Sequence, residues 1–377
     1  ADVVVTMGFQ ADSYNHSMPA PIDSSVFARR RARLAARLGN GVAIVPTAPE
    51  CLRNRDAHYP YRYDSYFYYL TGFCEPEAVL VLVGGETPRS ILFCRDKNTE
   101  REIWDGYRYG PDAARESFSF DEACSISELD ARMPDLLADR PAVQVHLGSD
   151  PAWDGRVLGW INAVRSRARS GVAAPGDLRD VRVLLDEMRL IKDGHEIAVM
   201  RRAGDISAAA HRRAMLTARP GATEYEVEAV LQYEFRHHGA QAPAYTSIVA
   251  GGANACVLHY VENNATLADG DLLLIDAGCE LDGYASDITR TFPVNGRFSG
   301  AQRDVYELVL AAQAAAIATV KPGAHWNTPH DAAVAVLAQG FIDLKLLSGS
   351  LDAVLEQESY KQFYMHRTGH WLGMDVH

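Results

Sequence analysis

The stretch from Asp271 to Phe292 limits what this chain can become more than any other. Leu272-Leu273-Leu274-Ile275 is an unbroken apolar run of strand length that ends in an acid, Asp276. Such a run, bounded by turn formers, reads as a buried strand. Shortly after it comes Asp282-Gly283, a strong hairpin signal because a two-residue type I′ turn needs positive φ at both positions. With that dipeptide as the turn, Leu281 opposes Tyr284 and Gly278 opposes Asp287. Alternation along the strands then puts Asp276, Gly278 and Asp287 on one face, with the two acids as diagonal neighbours. Carboxylates forced together on a buried surface repel unless a cation lies between them. Hard oxygen ligands at that range suit a divalent metal or a metal pair. Either acid alone reads as an ordinary turn or strand-end residue; the pair, framed by buried strand and turn, points to metal.

A second constellation closes the chain, Met365-His366-Arg367-Thr368-Gly369-His370-Trp371-Leu372-Gly373-Met374-Asp375-Val376-His377. His366, His370 and His377 crowd into its last twelve positions, while the whole chain holds 13 histidines. Imidazole is the common nitrogen ligand and proton carrier near neutral pH, and glycines between the rings permit close backbone approach to a ligand. His259 precedes a loop and reads equally as a core histidine or as a site residue.

Strand-like runs at Val42–Val45, Ala78–Val83, Ser90–Cys94 and Val143–Leu147 alternate with helical stretches, Glu122–Met133 among them, which predicts an α/β layer structure. A first helix is expected after a Ser24 or Ser25 cap, ending at Gly39-Asn40-Gly41. Residues 1–21 read as a loose arm. The Gly- and Pro-rich stretch Ser170–Asp177 predicts a domain boundary at 176/177. Beyond it, Asp193 with Glu196 and Thr223 with Glu226 predict capping boxes for helices near 194–217 and 224–238. Strands follow at Tyr245–Ala250, Leu272–Ala277 and Tyr284–Thr291. Two more helices come after them, the second opened by Thr328-Pro329.

Composition excludes several classes. The 377 residues are 47% hydrophobic and 23% charged, an ordinary globular balance that argues against disorder. Their 37 basic and 49 acidic side chains give a net charge of -12, which disfavours a nucleic-acid partner. The run Arg29-Arg30-Arg31 reads as a solvated helix face. Six scattered cysteines without a paired spacing read as buried, reduced thiols, consistent with a cytoplasmic protein. The longest nearly apolar run, Leu308–Val320, is too short to span a bilayer and reads as a buried helix, so no membrane is expected as partner.

Ile275-Asp276-Ala277-Gly278 through Ser286-Asp287-Ile288-Thr289-Arg290-Thr291-Phe292-Pro293 resembles the metal-binding hairpin of the pita-bread metallopeptidases. The closing histidine segment is similar to their proline-specific branch, which holds aminopeptidase P and prolidase. Tyr59-Pro60-Tyr61-Arg62 through Gly72-Phe73, and Arg101-Glu102-Ile103-Trp104-Asp105-Gly106, resemble the first domain of aminopeptidase P. The resemblance covers almost everything from about residue 22. It implies an α/β N-terminal domain (22–176) followed by an α+β pita-bread catalytic domain (177–377). It also implies two Mn²⁺ ions, Asp276 as ligand to one, Asp287 bridging both and His370 on the other. His259, His366 and His377 match histidines that orient substrate and stabilise the tetrahedral intermediate; Tyr245 and Trp104 match substrate-binding positions. The implied reaction removes an N-terminal residue that precedes proline, through a hydroxide bridging the metals. Prolidase, restricted to dipeptides, and a non-catalytic binding protein on the same fold are the alternatives. The implied partner is a peptide with proline at its second position, and a homo-oligomer is left open. The family continues past its last histidine with two glutamate ligands, whereas this sequence ends at His377. The catalytic domain as given is therefore expected to be incomplete: either a further C-terminal segment belongs to it, or it is a truncated, inactive form.

Overall fold

The computed structural model describes residues 23–377, so the expected arm at 1–21 lies outside the described residues. Two compact units divide after Lys192.

The first unit opens with helix α1, Ser24–Ala35, and strand β1, Val42–Pro46. Asp23, not Ser24 or Ser25, caps α1, its carboxylate accepting from the Ser25 amide at 3.1 Å. Then come α2 (Ser65–Thr71), β2 (Val79–Val83), β3 (Arg89–Cys94), α3 (Thr99–Asp105) and α4 (Gly110–Phe118). The unit continues with β4 (Glu122–Ser125), α5 (Leu129–Leu137), β5 (Ala142–Val145), α6 (Pro151–Arg165), β6 (Asp177–Asp180) and α7 (Arg182–Leu190). Glu122–Ser125 is thus a strand where a helix was expected. It pairs in parallel with β3, Phe93 opposite Cys124, and after a 3-10 turn at Ile126–Glu128 the α-helix begins only at Leu129.

The sheet runs β4-β3-β2-β1-β5-β6. Val42, Ile44, Val79, Val81, Val83, Ile91 and Phe93 point to one face and pack with Leu129, Met133, Trp160 and Ile161 of α5 and α6. The alternate residues Ala43, Val45, Leu80, Leu82 and Leu92 are buried too, on the side of α1 and α2. Both faces being covered explains why these strands read as continuous apolar runs. Because β6 pairs with β5, the Gly/Pro-rich stretch at 170–177 lies within this unit, and the division falls after Lys192 rather than after residue 176.

Arg30 and Arg31 are buried, contrary to the solvated face expected. Arg30 donates to the Tyr69 carbonyl and lies over the Tyr69 ring; Arg31 donates to the carbonyls of Leu70, Phe118 and Ser119. The two guanidiniums therefore satisfy the loose carbonyls that end α2 and α4. Burial pulls the Arg31 pKa down to about 10.

The second unit begins with α8 (Gly194–Thr217) and α9 (Glu224–His237), each with its expected capping box. Strands β7 (Ala242–Pro243), β8 (Ile248–Gly251), β9 (Leu272–Asp276), β10 (Cys279–Leu281), β11 (Tyr284–Ala285) and β12 (Thr289–Pro293) follow, and then α10 (Gly300–Ala318), α11 (Thr328–Asp343) and α12 (Leu351–Glu356). They form two three-stranded sheets, β11-β10-β7 and β12-β9-β8. The strand expected at 245–250 is confined to β8, and the one expected at 284–291 divides between the sheets at Ser286–Ile288. Asn327, rather than Thr328, is the cap residue of α11. Helix α10 forms where a buried helix was expected, yet Val309, Leu310 and Ile317 are exposed. Among the described residues, no helix is long and apolar enough to cross a membrane. All six cysteines are free; Cys94, Cys124 and Cys279 are buried, but Cys51, Cys74 and Cys256 are exposed.

Candidate metal centre

The hairpin has the expected register. Asp282 and Gly283 both carry positive φ, 49° and 79°, as a type I′ turn requires. Leu281 faces Tyr284 across it, and in the β9–β12 ladder of the other sheet Asp276 faces Thr289 in the same register. Gly278 and Asp287 stand where the ribbon passes from one sheet to the other. A Cβ on Gly278 would lie 1.7 Å from the Ser286 carbonyl oxygen, so only glycine allows the strands to approach this closely.

Helix α8 holds the ribbon from behind, along one face. Ser207 Oγ and Ser286 Oγ are 2.8 Å apart, and both accept from the Cys279 amide at 3.0 Å. One turn on, His211 Nε2 donates to the Ala277 carbonyl at 2.9 Å. Earlier on the same helix, Glu196 accepts from the Tyr284 hydroxyl at 3.1 Å. Buried polar groups are costly unless paired, so these contacts fix the ribbon more tightly than apolar packing would.

In front of the ribbon, Asp276 and Asp287 converge. The Tyr245 hydroxyl lies 2.5 Å from Asp276 Oδ1 and 2.9 Å from Asp287 Oδ1. One phenolic proton is thus shared between two acids, too little positive charge for the pair. Burial pushes the Asp276 carboxyl up, and the neighbouring Asp287 adds to the rise against the Tyr245 hydrogen bond. Tyr245 itself is held strongly towards its protonated form, chiefly by burial and by the hydrogen bond to Asp276.

His370 completes the arrangement. Its Nδ1 is 2.6 Å from the Trp371 carbonyl, to which it can only donate, and its Nε2 is 3.1 Å from Asp287 Oδ2. A neutral ring with that tautomer turns a lone pair towards a carboxylate. Such an approach is satisfied by a proton or by a cation, and the backbone-anchored Nδ1–H is the usual support of a metal-ligating histidine. The donor set of two carboxylates and an imidazole therefore fits a divalent ion in its chemistry. It is a partial set: among the described residues, no three His, Cys, Asp or Glu side chains are drawn together into a cage.

A cavity of about 620 Å³ opens over these groups, entirely within the second unit. Tyr245, His259, Asp276, Asp287, His366, His370 and His377 all line it. The His370 and His377 rings are 4.3 Å apart between centroids. Of the residues singled out in the sequence, only Trp104 belongs elsewhere, on α3 of the first unit and 80% exposed. Sequence reasoning missed the supports, Ser207, His211 and Ser286. Ser207 and His211 stand four residues apart on a helix otherwise rich in alanine on that face, which is the one signal that could have marked them.

A profile of metallopeptidase family M24 matches residues 198–377, and one of the aminopeptidase P N-terminal domain matches residues 27–146. The Xaa-Pro aminopeptidase of Haemophilus influenzae is 45% identical over 360 residues, 95% of this chain and 81% of the relative. The structure of Pseudomonas aeruginosa aminopeptidase PepP superposes with a TM-score of 0.93 at 52% identity, covering 94% of this chain and 81% of that one. Zn-substituted Escherichia coli aminopeptidase P in complex with product gives 0.92 at 42% identity, covering 95% and 82%.

Proposed function

Since the chain belongs to metallopeptidase family M24 and carries the aminopeptidase P N-terminal domain ahead of a pita-bread unit, we propose that it is a dimetal hydrolase that removes an N-terminal residue preceding proline. The observation that carries this reading is the diagonal acid pair, Asp276 and Asp287, sharing a single tyrosine proton while His370 Nε2 approaches Asp287 Oδ2 at 3.1 Å. The relatives are aminopeptidases, which favours this over a dipeptide-restricted prolidase or a non-catalytic binding protein.

In this reading Asp276, Asp287 and His370 are the residues that would hold the metal. When bound, the ions supply an acidic water near neutral pH and polarise the scissile carbonyl. The protein's own groups do the rest. The Trp371 carbonyl fixes the His370 tautomer by accepting from Nδ1. Tyr245, held protonated, donates from its hydroxyl to the acids and keeps both carboxylates in one orientation. His259, His366 and His377 ring the cavity, where an imidazole N–H can donate to the substrate carbonyl oxygen as charge builds on it. Trp104, with an indole unusually exposed for its type, is offered as a substrate-binding residue. Manganese suits the oxygen-rich donor set, and six free cysteines suit a reducing, cytoplasmic location.

The test compares Arg-Pro-Pro, Arg-Ala-Ala and Arg-Pro on full-length, Mn²⁺-loaded protein. Hydrolysis of Arg-Pro-Pro alone is expected. Equal rates on Arg-Ala-Ala would make the protein a general aminopeptidase, and cleavage confined to Arg-Pro would make it a prolidase.

A further inference from the structure

We infer that Glu224, which takes no part in the chemistry above, is a positioning residue that sets the pose of His259 in the cavity. The inference rests on the reading of His259 as a substrate-contacting group.

Glu224 is the first residue of α9 and fully buried. A carboxylate withdrawn from water is stable only if its lone pairs are filled. Here four donors fill them. Oε1 accepts from the Gly251 amide at 2.7 Å and from Asn254 Nδ2 at 3.0 Å. Oε2 accepts from the Tyr260 hydroxyl at 2.8 Å and from the Ala265 amide at 2.9 Å. All four donors lie on one segment, 251–265, and the Glu224 amide returns a bond to the Ala265 carbonyl at 3.0 Å. Burial pushes the carboxyl up, but these hydrogen bonds outweigh it and hold it below its ordinary range.

A second grip lies one turn along the helix. Asn263, buried and at a positive φ of 46°, donates to Glu228 Oε2 at 3.0 Å and to the Ser247 carbonyl at 2.8 Å. The same amide side chain accepts from the Val249 amide at 2.9 Å. Between the Asn254 and Tyr260 anchors runs an arc whose Cys256, Val257, Leu258 and His259 are exposed. Leu258, His259 and Val261 line the cavity. His259 directly precedes Tyr260, so the pose of the imidazole follows from what holds the Tyr260 ring. A carboxylate that only stabilised the start of α9 would need no such set of donors from one distant loop.

The experiment uses metal-loaded enzyme with Glu224→Gln, Tyr260→Phe and His259→Ala, alone and combined. Glu224→Gln keeps the shape but turns an amide NH₂ towards donors. Its kcat on Arg-Pro-Pro should fall by about 10-fold or more, since a displacement of roughly 1 Å can cost up to about 100-fold. KM should change less, and metal content should hold. Amide hydrogen exchange at Gly251 and Ala265 should quicken. In the His259→Ala background the same substitution should cost less than about 2-fold further, because the group it positions is gone. Tyr260→Phe should follow the same pattern more mildly, and it decides the matter if Glu224→Gln fails to fold. Loosened exchange with unchanged kcat, or an equal loss in both backgrounds, would overturn the role of Glu224 and leave the proposed function standing. Full turnover by His259→Ala alone would instead remove His259 from the proposed site, and this inference with it.

Discussion

The six-stranded sheet of the first unit and the acid-bearing ribbon of the second are both buried β structure, yet they are specified in different ways. In the sheet, β1, β2 and β3 present apolar side chains to both faces, and their positions follow from area removed from water. Any residue of similar volume serves nearly as well. In the ribbon, the deciding contacts are few and polar: Ser207 and Ser286 on the Cys279 amide, His211 on the Ala277 carbonyl, Tyr245 between two acids. Each has one geometry that satisfies it. Apolar burial therefore secures folding, while a small number of directional bonds secures placement to the accuracy that catalysis needs.

This contrast can be broken by substitution. The largest effect is expected from Asp287→Asn, which removes the charge of one of the two paired acids. Metal content by elemental analysis and turnover of Arg-Pro-Pro should both collapse, beyond the ~10–100-fold typical of losing an outer-shell partner. Survival of either would show that the pair is not the metal site. Next comes Phe93→Ala in the sheet, at a fully buried position. It should cost about 3–5 kcal/mol of first-unit stability by urea denaturation, while turnover per folded, metal-loaded molecule stays near wild type. Ser207→Ala should do the opposite. The Cys279 amide keeps Ser286 Oγ as acceptor, so stability should drop by only ~1 kcal/mol, while metal affinity by competition titration falls about 10-fold. Equal stability costs for Phe93→Ala and Ser207→Ala would erase the distinction.

The smallest effect is a pH dependence in the first unit. His146 is buried, with Nε2 unpartnered, and desolvation lowers its pKa below the ordinary 6.5, against the opposing pull of Asp64. The unfolded chain then takes up the proton first as pH falls. Stability attributable to this residue is complete above about 6.5 and declines below it until the folded pKa is reached. Wild type should lose about 1 kcal/mol or less between pH 7.5 and 5.5 relative to His146→Asn, read from urea midpoints.

The same division governs what could be read from the sequence. The apolar runs located β1, β2, β3 and β5, and Asp282-Gly283 set a register that extends from the turn to the Asp276–Thr289 pair. These are local, periodic signals. Glu122–Ser125 was misread as helix because its neighbours to Met133 are helix formers, whereas pairing with β3 decides the matter. Arg30 and Arg31 looked like solvated charge because their partners, the carbonyls closing α2 and α4, lie 39 to 88 residues away in the chain. Glu224 sat unnoticed inside a capping-box motif, its role depending on a loop that begins at Gly251. The candidate ligands were visible because they are reactive residue types in dense motifs; their supports were not, because serine, histidine and glutamate on a helix are commonplace until the fold brings a partner.

Gly278 carries one more consequence, for heredity rather than for chemistry. No side chain of any size fits there, since even a methyl group would meet the Ser286 carbonyl at 1.7 Å. Every missense change at this codon is therefore equivalent, from alanine to tryptophan. In a saturation library selected for active enzyme, position 278 should come back as an empty column, and only synonymous codons should be recovered. A lineage can drift around this site, but it has no single-step path through it.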